Sequence, residues 1–90
     1  MEAIVSAVAE AFVQPIASIA QGRGGTAREA VALLARTQSA FGLAEIGTAL
    51  GIKPWSASHL ASAGERRRQS DRAFGRKVRA IEAALGRITE

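Results

Sequence analysis

The sequence has no cysteine, no tyrosine and a single histidine among its 90 residues. The absence of cysteine excludes disulfides, thiolate metal sites and cysteine nucleophiles, and one histidine is too few for a histidine-rich metal site. Aromatic residues make up only 4% of the chain, which is a poor supply for a β-sandwich or a β-barrel. No apolar run approaches the roughly 18 residues that a membrane span needs. We therefore expect a cytoplasmic protein with no metal site, no cofactor and no membrane segment.

Alanine is the residue that the sequence has in excess, with 20 copies in 90 residues. It favours helix intrinsically, and its small side chain lets neighbouring helices approach closely. A chain of this length has room for one domain only. The composition therefore predicts a single all-α domain over residues 1–90, with five or six short helices and no strand.

Apolar residues recur at helical spacing through most of the chain, and glycine and proline interrupt the pattern. Thr26 and Glu29 have the spacing of a capping box at a helix start. Ser70 or Asp71 is expected to cap the last helix, whose apolar stripe runs from Phe74 to Ile88. Helices are predicted over residues 2–13, 15–20, 26–39 and 43–50, from residue 54 onwards, and from residue 70 or 71 to the end of the stripe.

The net charge of +4 is concentrated towards the end of the chain. Residues 65–90 carry eight basic and four acidic side chains, whereas residues 1–22 carry two acidic side chains only. Ten of the twelve basic residues are arginine, whose planar guanidinium binds phosphate through paired hydrogen bonds. Such a domain is a candidate for nucleic-acid binding, and an ordinary solvated surface is the alternative. The side of the last helix that faces away from its apolar stripe is expected to carry Arg72, Arg76 and Arg79.

Residues 43–64 have the pattern of a helix-turn-helix. A helix of about eight residues from Leu43 is followed by a tight turn at Gly51, and a second helix begins at Pro54. In such a motif the first helix supports the second, whose N-terminal side chains reach base edges in the major groove.

Trp55 is predicted to lie on the exposed side of this second helix. A base or a protein partner would explain an exposed tryptophan, whereas contact with solvent would not. In the alternative interpretation, Trp55 folds back onto Leu50 or Phe41 as a lid. The same exposed side is expected to carry Ser56, Ser58, His59 and Ser62.

The segment Leu43-Ala-Glu-Ile-Gly-Thr-Ala-Leu-Gly51 resembles the start of the helix-turn-helix in the C-terminal domain of DnaA, the bacterial chromosomal replication initiator. That family has Ser-Leu-x-Glu-Ile-Gly-x-x-Phe-Gly at this place. Residues 4–12 are similar to its opening helix and residues 26–36 to its buttressing helix. The resemblance implies a domain of the Trp-repressor-like group that binds double-stranded DNA at the nucleoid and acts in the control of replication initiation.

The resemblance also implies which residues contact DNA. The family uses an Arg-Asp-His-Ser/Thr-Thr stretch to contact bases, and these places are taken here by residues 53–57. An arginine of the family's basic loop enters the minor groove, and Arg23 is its match. Arg28 and Arg36 match basic positions on the buttressing helix. The expected DNA-binding residues are Arg23, Arg28, Arg36, Lys53, Trp55, Ser56, Ala57, Ser58 and His59.

Two other functions remain open at this point. Residues 55–57 also resemble a Tyr-Ser-Ala stretch in the C-terminal modules of transposases that act on repetitive palindromic elements. Alternatively, the chain is a non-catalytic interaction protein that binds a regulator of replication initiation, with Trp55 as the anchor.

Catalysis is not expected. The segment Gly22-Arg-Gly-Gly25 lacks the Gly-Lys-Ser/Thr of a phosphate-binding loop, and His59 has no nearby carboxylate at triad or metal spacing. We therefore expect no small-molecule substrate. The run Arg66-Arg-Arg68 is interpreted as a solvated helix end rather than as a contact.

Overall fold

The computed structural model describes residues 2–20, 25–38 and 41–89. In these residues the chain forms six α-helices and no strand, which confirms the predicted all-α fold. None of the helices described is long and apolar enough to cross a membrane. The helices are α1 (Glu2–Ala11), α2 (Ile16–Ala20), α3 (Thr26–Gln38), α4 (Leu43–Leu50), α5 (Pro54–Ser70) and α6 (Arg72–Thr89).

The helix α3 lies at the centre of the fold. Residues 30–35 of this helix are all buried, because α1, α4, α5 and α6 each pack against it. Val31, Leu34 and Ala35 lie at helical spacing and are all buried. Leu33 is buried as well, since this helix is covered on more faces than an amphipathic surface helix would be.

Two helix ends differ from the sequence predictions. The helix α1 stops at Ala11 rather than at residue 13, and Val13 takes a left-handed conformation with φ of 53° in the turn that follows. The predicted capping box is wrong, because Thr26 is already the first residue of α3 and the Glu29 carboxylate accepts hydrogen bonds from Arg67 of α5 instead.

Other helix ends agree with the sequence. Gly51 ends α4 in the left-handed conformation with φ of 69°, and the following N–H of Ile52 donates to the Gly47 carbonyl at 2.8 Å. This is the Schellman arrangement that a glycine permits. Asp71 caps α6, since its Oδ1 accepts a hydrogen bond from the Phe74 N–H at 3.2 Å.

The helix α6 packs back onto the bundle through its predicted stripe. Phe74, Val78 and Ile81 are buried, and the Phe74 ring meets that of Phe12 edge to face at 5.8 Å between centroids. Leu85 is partly buried against the core, whereas the side chain of Ile88 lies outside the described part of the chain.

The inner face of α5, formed by Ala57, Ala61 and Gly64, lies against the central helix. All three residues are buried. A Cβ on Gly64 would stand only 2.7 Å from the Glu29 carbonyl oxygen, so α3 and α5 approach at backbone distance. Small residues on the inner face therefore fix α5 in place and leave its opposite side facing outwards.

Candidate nucleic-acid interface

The helices α4 and α5 form the predicted helix-turn-helix, joined by the three residues 51–53. The turn is tightly packed, because a Cβ on Gly47 would stand 2.6 Å from the Ile52 carbonyl oxygen. Ile46 and Leu50 are fully buried beneath it. Both the close approach and the buried side chains hold α4 as a rigid support for the start of α5.

Arg28 joins α3 to this turn. Its Nη2 donates to the Leu50 carbonyl at 2.7 Å, and that carbonyl belongs to the last turn of α4, where the helix itself supplies no N–H donor for it. The side chain is half-buried, and no acceptor among the described residues reaches its Nε. One terminal nitrogen of Arg28 therefore helps to hold the helix-turn-helix together, and the expected phosphate contact by this residue stays a prediction.

The start of α5 is open to solvent. Lys53 is the exposed N-terminal cap residue, with φ of −76° and ψ of 156°, and no side chain caps the helix. Pro54 occupies the first turn, where it has no N–H to leave unpaired. The other first-turn amides lack intrahelical acceptors, and together with the Lys53 charge they favour an anion at this end.

Trp55 projects from this helix start with 64% of its surface exposed. Its ring contacts that of His59, one turn further along, edge to face at 5.5 Å between centroids. The alternative in which Trp55 covers Leu50 or Phe41 as a lid does not fit this exposure. The stripe continues along the helix, and we call it the outer face of α5: Trp55, Ser58, His59, Ser62 and Arg66.

The helix separates the predicted base-contacting residues into two groups. Ser56 and Ser58 are half-buried at the edges of the outer face, and His59 is exposed within it. Ala57 is 0% exposed on the inner face. The predicted contact by Ala57 is wrong, because successive helical residues are about 100° apart and position 57 points towards α3.

Arg36 lies in the last turn of α3 and is exposed, as expected of a phosphate contact. A groove of about 440 Å³ runs between α3 and α5. Arg36 and Arg66 both line it, together with Ser62. The structure thus brings Arg36 next to the outer face of α5, whereas Arg23 lies outside the described residues.

The three consecutive arginines of α5 have three different surroundings. Arg67 donates to Glu29 at 2.7 Å, and this hydrogen bond and the carboxylate charge raise the pKa of Arg67 above its ordinary value. Arg68 pairs with Glu82 of α6 at 2.9 Å. Only Arg66 is exposed, so the interpretation of the whole run as a solvated helix end is corrected for its second and third members.

Ser62 and Arg66 were not among the expected contacts, yet they continue the stripe that begins at Trp55. Positions 55, 59, 62 and 66 follow a 4-3-4 spacing, which places residues on one face of a helix. This spacing is the sequence signal by which both residues can be found.

Comparisons of this chain with protein-family models, with curated proteins and with solved structures find no match. The relation to DnaA therefore stays a prediction that rests on the residues quoted above. Within the described ranges, no group of three or more histidine, aspartate or glutamate side chains is arranged to hold a metal ion.

The arrangement around α5 is suited to binding rather than to bond breaking. An exposed indole offers a flat apolar surface and one N–H donor, and imidazole adds a second polar ring beside it. Exposed Lys53 directly precedes α5, and exposed Arg66 lies about two turns beyond His59 on the same face, where it lines a groove together with Arg36. Aromatic groups with basic side chains along the same helix match the bases and phosphates of a nucleic acid.

Proposed function

We propose that this chain is a DNA-binding domain that contacts duplex DNA through the outer face of α5 and acts at the nucleoid in the control of replication initiation. The observation that carries the DNA contact is the exposed pair of Trp55 and His59 at the start of the second helix of a helix-turn-helix. An α-helix fits the major groove with its N-terminal residues towards the bases.

The chemistry of each group gives it a separate part in this contact. Trp55 is suited to apolar contact with a thymine methyl group, and its N–H can donate to a base-edge acceptor. Lys53 stands just before the aromatic pair, and Arg66 and Arg36 share a groove further along α5, so these cations are suited to phosphates beside the bases that the pair contacts. The part of the proposal that concerns replication is supported by the DnaA-like segment at residues 43–51 alone.

A second candidate function is binding to a protein that regulates replication initiation. The observation that favours it is again Trp55, since exposed tryptophan is enriched among residues that dominate protein interfaces. Capture of partners from the host with and without nuclease treatment separates the two functions. A partner retained after complete digestion of DNA would favour the protein interface, whereas loss of the captured material on digestion supports DNA binding. A transposase-type module would use the same DNA-contacting face.

The direct test is the salt dependence of binding to a fluorescent duplex. Each phosphate contact releases counterions, so affinity should fall steeply as salt rises, and Arg36→Gln or Arg66→Gln should each flatten the log–log slope by about one. Lys77→Gln is the matched control, because Lys77 lies over the Phe12 ring on another side of the molecule. Slopes that are equal in all four proteins would contradict the proposed interface, as would the absence of binding at low salt.

A further inference from the structure

A second basic surface lies along α6, away from the helix-turn-helix. Arg72, Arg76 and Arg79 are exposed on one side of this helix, and we call them the α6 arginine row. They line a groove of about 390 Å³ between α5 and α6. Within the part of the chain that the structure describes, none of the three forms an ion pair.

The other groups of this groove do not neutralise the row. Arg68 is held by Glu82 through both of its terminal nitrogens, at 2.9 and 3.3 Å. Glu65 is the one carboxylate that lines the groove among the described residues, and it accepts a hydrogen bond from Gln69 at 3.4 Å. Three free guanidiniums against one carboxylate leave the groove positively charged.

The length of the row indicates a polymeric anion. Arg72 and Arg79 are seven residues apart, which is about 10 Å along a helix. One DNA strand carries a phosphate every ~3.4 Å along the axis, so the row is long enough for two or three successive phosphates. A single small anion would meet only one or two of these side chains.

The row is continuous with the outer face of α5. Arg66 belongs to that face, and Gln69 follows it one turn later and lines the α6 groove. From Trp55 to the end of α5 at Ser70 is about 22 Å along the helix. On B-DNA this distance corresponds to about six base pairs.

We propose that the α6 arginine row binds the phosphate backbone of the same duplex, about half a helical turn from the base pairs that face Trp55. The proposal rests on the proposed function, since it extends the same DNA contact. It assigns the charge of residues 72–79 to a flanking phosphate site rather than to a solvated helix surface.

The test compares two neighbouring residues of α6 on two duplexes. Arg76→Gln removes a charge from the row, and Lys77→Gln removes one from the side that faces Phe12. On a duplex of about 24 base pairs, Arg76→Gln should flatten the salt slope by about one, and the triple Gln variant of the row by about three, while Lys77→Gln leaves it unchanged. On a hairpin with a duplex of about 6 base pairs, which is too short to hold both the base pairs that face Trp55 and phosphates about six base pairs away, all variants should bind like the parent protein.

Three outcomes would overturn the proposal. Equal slopes for Arg76→Gln and the parent on the long duplex would remove the row from the interface. An equal flattening of the salt slope by Arg76→Gln and Lys77→Gln would show an effect of net charge alone. An equal flattening by Arg76→Gln on both duplexes would contradict the flanking position. If the parent protein binds neither duplex, the proposed function itself fails, and that result is distinct from the other three.

Discussion

The inner and outer faces of α5 differ in the size of their side chains and in their exposure to solvent. The inner face carries the smallest side chains, Ala57, Ala61 and Gly64, all of them buried. The outer face carries the largest side chain of the helix, Trp55, with 64% of its surface exposed. A helix that needed its aromatic residue for stability would turn it inwards. The bundle is therefore held at α5 by close backbone approach, which leaves the indole of Trp55 available to a partner.

The largest expected effect comes from removing the support beneath the inner face. Leu50→Ala deletes a fully buried side chain at the end of α4 and should lower the free energy of unfolding by about 2–5 kcal/mol. Leu43→Ala is the matched control at the other end of the same helix, where the side chain is 37% exposed, and should cost less than about 1 kcal/mol. Urea unfolding measures both. Similar losses for the two variants would mean that α4 is not packed as described.

A smaller effect is expected from the inner face itself. Gly64→Ala places a Cβ 2.7 Å from the Glu29 carbonyl oxygen and should cost about 1–3 kcal/mol of stability, although alanine favours helix. The control is Gly75→Ala, whose Cβ would stand 3.2 Å from the Arg68 carbonyl oxygen, close enough to need only a slight shift. Thermal or urea unfolding should rank Gly64→Ala well below Gly75→Ala in stability. The reverse ranking would contradict the close approach of α3 and α5.

Much of the difference between the inner and outer faces of α5 could be predicted from the sequence, because burial of a helical stripe depends on the local spacing of residues. The spacing predicted five or six helices, of which the described residues form six, and it predicted the turn at Gly51 and the exposed side of Trp55. It also placed Ala57 among small apolar residues, and the expected DNA contact at that position, which came from the resemblance, was wrong. At that position the helical spacing predicted the correct side of the helix, and the resemblance did not.

Long-range partners were not predictable in the same way. Arg28 and the Leu50 carbonyl are 22 residues apart, and nothing in the local pattern distinguishes an arginine that holds another helix from one that faces solvent. The same is true of Arg67 and Glu29, which are 38 residues apart. Charge counts therefore indicated a basic domain without showing which arginines are available to a ligand.

The smallest expected effect on stability belongs to the outer face, and it gives the most direct test of its proposed role. Trp55→Ala should change the free energy of unfolding by no more than about 0.5 kcal/mol, because the side chain is exposed. The same variant should lose about 1–3 kcal/mol of affinity for the preferred duplex and much less for random sequence, measured by fluorescence anisotropy at fixed salt. Trp55→Phe keeps an aromatic ring without the indole N–H, so its affinity for the preferred duplex should lie between those of the parent protein and Trp55→Ala. A folded Trp55→Ala protein that binds the preferred duplex as tightly as the parent would contradict the assignment of this face to DNA.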